Sequence, residues 1–275
     1  MTNASMAPHV TAVTVTEAWL EAARTLLSIP DHRATHMMVH IAEPTREDPG
    51  TRRDVDHLMD DQNYQSVETI ANTIFPRALA ASSRDHTHLA QRYAAMYPVL
   101  QKRWRRNKFG TYFGRITAYP TADGPVDQLA AVINHLVIEN RTSNPKTARF
   151  ETTFAVPGRD DPTEDVAGFT DVDGKAVAIF EPGQDRNRAM AFPCLSHCSF
   201  QLGRDGRVHA LAHYRSQYLL QRAYGNYLGL GRLLDYVATT AGLRTGELTV
   251  VAGYVQLEAA VTAVRRLAAQ PSPQA

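Results

Sequence analysis

Only two cysteines occur in the 275 residues, Cys194 and Cys198. On an extended strand they would share a face with their Cα atoms about 13 Å apart, so a disulfide between them requires a sharp bend and two reduced thiols are the simpler expectation. No apolar run reaches the roughly 18 residues needed to cross a bilayer, and Met1 to Pro8 lacks a basic start followed by an apolar stretch. The expectation is a soluble, cytoplasmic protein without a membrane partner. Neither sign of charge dominates: 29 Lys and Arg face 28 Asp and Glu. A chain without a global field is not committed to nucleic acid, and any anion it binds must be held locally. There are no internal repeats and no stretch resembling a flexible linker, so residues 9–268 read as a single domain between a disordered N-terminus (1–8) and a disordered tail (269–275).

What is present is a change of period. Residues 16–28 carry a cap and apolar positions at helical spacing and stop before Pro30. His36 to Ile41 is a short strand followed by a polar stretch read as exposed loop. Helices follow over 67–75, halted by Pro76, over 86–103 with a kink near Pro98, and over 126–137, whose apolar residues recur at about 3.6. Beyond that the segments shorten: 150–156, 176–180, 194–202 and 208–214 read as strands, with Asp205-Gly206 a hairpin signal between the last two. A helix over 224–241 ends at Gly242, a strand covers 248–255, and a helix over 258–268 closes the pattern. The fold class is α+β, one large mixed sheet with helices packed on one face.

Certain residues carry chemistry. Cys194 heads a strand, and a thiolate there is a candidate nucleophile if nearby cations lower its pKa. Arg215 offers a fork of donors to an anion and Ser216 a hydroxyl beside it. Asn226, near a helix start, presents one donor and one acceptor in the pattern that a pyrimidine ring answers, although an asparagine at that position is also a cap. Cys194, His197, Cys198, His209 and His213 hold enough nitrogen and sulfur for zinc, but no Cys-x-x-Cys turn is present and no metal is expected. Lys102-Arg103-Trp104-Arg105-Arg106-Asn107-Lys108 is a basic run with an aromatic, read as a solvated helix end or partner contact and not as a nucleic-acid site.

Two blocks resemble thymidylate synthase and its relatives, the pyrimidine nucleotide hydroxymethylases. One is Tyr112-Phe113-Gly114-Arg115 through Pro120 and Asp123-Gly124 to Asp127-Gln128-Leu129. The other runs from Pro193-Cys194 through Phe200, Asp205-Gly206, Arg215-Ser216, Asn226 and Gly242-Leu243 to Gly246 and Gly253. The resemblance implies a thymidylate-synthase-like homodimer with sheets back to back, in which each site receives arginines from the other subunit. Cys194 would add to carbon six of a pyrimidine nucleotide so that carbon five takes a one-carbon unit from methylene-tetrahydrofolate. Arg215 and Ser216 would hold phosphate with Arg149 of the partner, and Asn226 would read the base. Asn72 falls at the family's proton-organising glutamate, as a substrate-binding residue, and Glu68 one turn earlier is the candidate to replace that glutamate. Tyr218 stands at the pterin-binding aspartate, and Gln256 and Glu258 stand at the sugar-binding positions. Ala148 replaces the second partner arginine. The family's closing tail is not matched, and an open site favours capture by water, hence hydroxymethyl over methyl transfer. The alternatives are the same fold acting on a non-nucleotide acceptor, or a nucleotide-binding protein without turnover.

Overall fold

The computed structural model describes residues 7–103, 110–121, 124–142, 176–179 and 193–270. It is a mixed α+β fold with one large mixed sheet. Seven strands run in the order β1 (His9–Thr14), β2 (Arg33–Glu43), β9 (Arg244–Gln256), β7 (Arg207–Tyr214), β6 (Leu195–Leu202) and β5 (Ala176–Ala178), with the short β8 (Gln217–Tyr218) beside β9. The chain groups into two compact units, Met1–Asn72 with Leu211–Arg232 and Glu247–Ala275, and Thr73–Ala210 with Leu233–Gly246.

In the first unit β1 lies parallel to β2, with Val10 opposite Val39 and Ala12 opposite Ile41. The connection is α1 (Val15–Leu27), which begins where Thr14 and Glu17 cap each other reciprocally. Its Ala18, Trp19, Ala22, Ala23 and Leu26 are buried, the spacing of one helical face turned inward. β2 runs antiparallel to β9, Val39 against Val250 and Ile41 against Leu248. Burial alternates along β1, so one face is covered and the other carries His9, Thr11 and Val13.

The polar stretch after β2, expected as loop, is in part a helix, α2 (Pro49–Asp61). Asp48 caps it by accepting the Thr51 N–H at 2.6 Å, and Pro49 sits at the first turn, where its missing donor costs nothing. Only Thr51, Val55 and Met59 are buried, a stripe too thin for composition to reveal. Helix α3 (Val67–Ile74) follows as expected and ends before Pro76.

The second unit contains α4 (Arg77–Ala81), α5 (His86–Arg103), α6 (Tyr112–Thr117), the hairpin β3 (Tyr119–Thr121) and β4 (Gly124–Val126), and α7 (Gln128–Asn140). Helix α5 runs through Pro98. Its core is aromatic: Phe113 meets Tyr93 edge-on at 4.7 Å and Phe75 at 5.9 Å, and Phe75 meets Tyr236 at 4.9 Å. Tyr93 shares a 2.6 Å hydrogen bond with Thr111, and burial pushes its phenol up to about 12. The β6–β7 turn closes as Asp205-Gly206 predicts, with Gly206 at φ 74° and the Gly203 N–H donating to the Arg207 carbonyl at 2.7 Å.

Helix α8 (Tyr224–Thr240) is entered through a π-helical turn, Leu219–Ala223, that no sequence pattern announces. The last helix, α9 (Val261–Ala268), starts three residues later than expected, because Ala260 adopts a left-handed conformation at φ 50°. The expected strand over 150–156, Arg149, and the basic run from Trp104 to Lys108 lie outside the described residues.

Candidate functional site

The first unit holds Arg215, Ser216, Asn226, Asn72 and Glu68; Cys194 belongs to the second. Arg215 and Ser216 directly precede β8, which pairs in parallel with the end of β9, Gln217 opposite Val255 and Tyr218 opposite Gln256. A Cβ at Gly253 would stand 3.1 Å from the Arg215 carbonyl oxygen, so the glycine lets the two backbones approach. The chain then enters the π-helical turn, anchored by the Trp19 Nε1–H donating to the Leu219 carbonyl at 3.0 Å.

The start of α8 is fixed from several sides. Tyr224 shares a 2.8 Å hydrogen bond with Thr16, whose Oγ1 also accepts the Asp48 N–H at 2.7 Å. Gly225 lies against α3 so closely that a Cβ would come within 2.6 Å of Ile70 Cβ. The Tyr227 hydroxyl donates to Gln217 Oε1 at 3.3 Å, leaving Gln217 Nε2 without an acceptor among the described residues. Between these anchors sits Asn226, 3% exposed, with a carboxamide that makes no hydrogen bond among the described residues. It is not the helix cap that its position allows. Its nitrogen and oxygen are not among the fully enclosed side-chain atoms without a partner, so the amide keeps some access to water although the residue as a whole is buried.

Glu68 is placed differently from a proton carrier. Its two carboxylate oxygens are taken by Arg232 at 2.8 and 2.9 Å, Arg52 adds a 3.5 Å contact, and Asn72 Nδ2 donates to Oε1 at 3.4 Å. The Arg232 hydrogen bonds hold the carboxyl below its usual range, so Glu68 is a fixed anion near neutral pH. Asn72 accordingly turns its amide toward Glu68. Arg52 and Arg232 were not singled out by sequence; the pairing of positions 68 and 232 leaves no local signal.

In the second unit the two thiols differ. Cys198 on β6 is buried, and burial pushes its pKa up to about 12, the behaviour of a small core residue. Cys194 is half-buried at the head of β6, after the buried Pro193. The motif around Gly114 serves architecture. A Cβ there would lie 2.8 Å from the Tyr97 ring, the buried Arg115 donates to the Ile179 carbonyl at 2.9 Å, and Gln128 Nε2 donates to the Arg115 carbonyl at 3.2 Å. Among the described residues no three His, Cys, Asp or Glu side chains stand together as a metal site, and no helix is long and apolar enough to cross a membrane.

A recess of about 440 Å³ in the first unit is lined by Asp31, Arg33, Thr35, His36 and Tyr254, none of them singled out from the sequence. His36 and the nearby His32 both adopt left-handed backbone conformations, uncommon for residues with a Cβ.

No known protein-family model matches the chain, and no curated protein matches it.

Proposed function

We propose that the chain is an enzyme that transfers a one-carbon unit, hydroxymethyl or methyl, to carbon five of a pyrimidine nucleotide through a covalent adduct of Cys194. The observation that carries this reading is Asn226: a buried carboxamide without a protein partner among the described residues, in the same unit as an arginine and a serine suited to phosphate. A pyrimidine edge presents the complementary acceptor and donor and would take the place of water at this amide. In this reading the Cys194 thiolate forms a bond to carbon six, the ring electrons move to carbon five, and carbon five attacks the one-carbon electrophile. Loss of the carbon-five proton and departure of the thiolate then restore the ring. Between the two cysteines, Cys194 is the accessible one. Arg149 of a second subunit would complete the phosphate site.

The donor end of the site matches the resemblance less well. Tyr218 offers a phenol where a carboxylate would grip the pterin of methylene-tetrahydrofolate, so no step is assigned to folate. The homodimer is part of the same reading and is carried by the resemblance alone.

A second reading, nucleotide binding without turnover, is favoured by one observation: Glu68 is engaged by Arg232 and Arg52, which leaves the expected proton-organising carboxylate committed elsewhere.

Intact mass after incubation with uridine and cytidine monophosphates fluorinated at carbon five separates the two. The enzyme reading expects a covalent adduct that maps to Cys194 and vanishes in Cys194→Ser. Thermal stabilisation by the plain nucleotides without any adduct would establish the silent binder. The absence of both would direct attention to an acceptor that is not a nucleotide.

A further inference from the structure

The recess of about 440 Å³ in the first unit is not lined by Arg215, Ser216 or Asn226, the residues assigned to the nucleotide. It forms where β2 begins beside β9, with Thr35 opposite Tyr254. One wall is the turn after α1. His32 closes that turn, its N–H donating to the Ile29 carbonyl at 3.0 Å and its Nδ1 standing 3.1 Å from the Leu26 carbonyl, while its own carbonyl accepts the Leu257 N–H at 3.0 Å. Another wall is Pro8, whose carbonyl accepts the Met38 N–H at 2.9 Å. Backbone bonds thus fix the outline, and a volume of this size suits a small molecule.

The charges inside do not answer one another. Asp31 and Arg33 both line the recess, yet neither side chain has an ion pair or hydrogen bond among the described residues. Beside them the alternation of β2 breaks: Thr35 and His36 are both exposed before Met37 is buried, and His36 is the residue at φ 52°. Two neighbouring polar side chains therefore share the open side. A left-handed conformation at a residue with a Cβ costs free energy, and such positions gather at ligand sites. Arg33 is the one Lys or Arg among the lining residues and Asp31 the one carboxylate. A phosphate dianion would meet a single guanidinium and be repelled by Asp31, whereas a ligand with one positive and one negative group is answered at both ends. The hydroxyls fit the same pattern. Thr35 can donate to a carboxylate, and the Tyr254 phenol donates to Gln256 at 3.4 Å, which leaves its oxygen free to accept from an ammonium. Ile29 and Pro8 supply apolar surface.

We propose that this recess binds a free α-amino acid with an apolar side chain, its carboxylate held by Arg33 and Thr35, its ammonium by Asp31 and Tyr254, and its side chain against Ile29 and Pro8. The assignment does not depend on nucleotide binding. Calorimetric titration of the full chain with L-leucine and L-phenylalanine tests it, beside 4-methylpentanoate and 3-phenylpropanoate, which lack the ammonium, and 3-methylbutylamine and phenethylamine, which lack the carboxylate. At least one of the two amino acids should bind, and its single-charge counterparts should bind about tenfold or more weakly, the usual weight of a hydrogen bond to a charged group. Arg33→Gln and Asp31→Asn should each weaken amino-acid binding by a similar factor with the melting temperature little changed, because both side chains are exposed. Inorganic phosphate should not displace the amino acid. Failure of both amino acids to bind overturns the proposal, as does equal binding of a single-charge counterpart or affinity that survives both substitutions. Displacement by phosphate would make the recess a simple anion site and overturn it as well.

Discussion

Arg232 on α8 grips Glu68 on α3 with both arms of its guanidinium, Nη1 to Oε1 at 2.8 Å and Nη2 to Oε2 at 2.9 Å. The Arg232 side chain is only 10% exposed, and Arg52, at 14%, closes the other side while itself binding Glu47 and Asp56. A bidentate pair of this kind aligns two helices and pins the turn of α3 that also carries Asn72.

Glu68→Gln should therefore destabilise the protein by about 0.5–1 kcal/mol near neutral pH, because Arg232 loses its counter-charge while water screens a carboxylate whose side chain is 45% exposed. The sign of the pH dependence follows from the lowered carboxyl pKa. The contribution is fully present above the unfolded value of about 4.3 and fades as pH falls through the lower folded value. Urea unfolding across this range should show the wild-type advantage shrinking in acid; an advantage that stays constant down to about pH 2 would contradict the assignment.

The two thiols should separate cleanly under alkylation. Cys198 is enclosed and its pKa is pushed up to about 12, whereas Cys194 is half-buried. Iodoacetamide at about pH 8, near the reference thiol pKa, should add one label to the native protein, at Cys194, and a second only after denaturation. Equal labelling of both in the folded state would mean that β6 is not packed as described.

Close approach at glycine gives a prediction about stability alone. A Cβ at Gly231 would fall 1.9 Å from the Pro44 carbonyl oxygen, a backbone atom that cannot swing aside. Gly231→Ala should cost about 2 kcal/mol or more and lower the urea midpoint without changing the m-value. Gly242→Ala is a useful contrast, since there the cost arises from φ 74° and nothing stands within 4 Å.

Features written in adjacent residues were legible in the sequence, and those assembled over distance were not. The alternation along β6 and β7, the Asp205-Gly206 turn and the stop of α8 near Gly242 are local patterns, and all three are present. Helix α2 escaped notice because three buried residues in thirteen leave hardly any period. β8 has two residues and exists only through β9, while Glu68 and Arg232 lie 164 positions apart. For the candidate site, residue types could be read but their states could not. Nothing in the one-letter code distinguishes Glu68, committed to two arginines, from Glu258, which has no cation among the described residues.

Asn226 yields the sharpest contrast between a structural and a ligand-binding role. A side chain that supports the fold costs stability when truncated, but its carboxamide contributes no hydrogen bond among the described residues and is 3% exposed. Asn226→Ala should stay within about 1 kcal/mol of the parent in urea unfolding, because the truncation removes no hydrogen bond among the described residues and only a small side chain's packing. Binding should respond in the opposite sense. Two hydrogen bonds to a ring edge, each worth about 1 kcal/mol net and more if a buried partner is left unpaired, predict a loss of roughly 10- to 100-fold in nucleotide affinity. Asn226→Asp, which removes the donor and keeps the acceptors, should shift preference toward a ring that donates at that position, as cytosine does through its amino group. Calorimetry with uridine and cytidine monophosphates on the three proteins checks both effects. A variant that unfolds, or one that binds as tightly as the parent, would make Asn226 part of the scaffold and remove the observation on which the nucleotide reading stands.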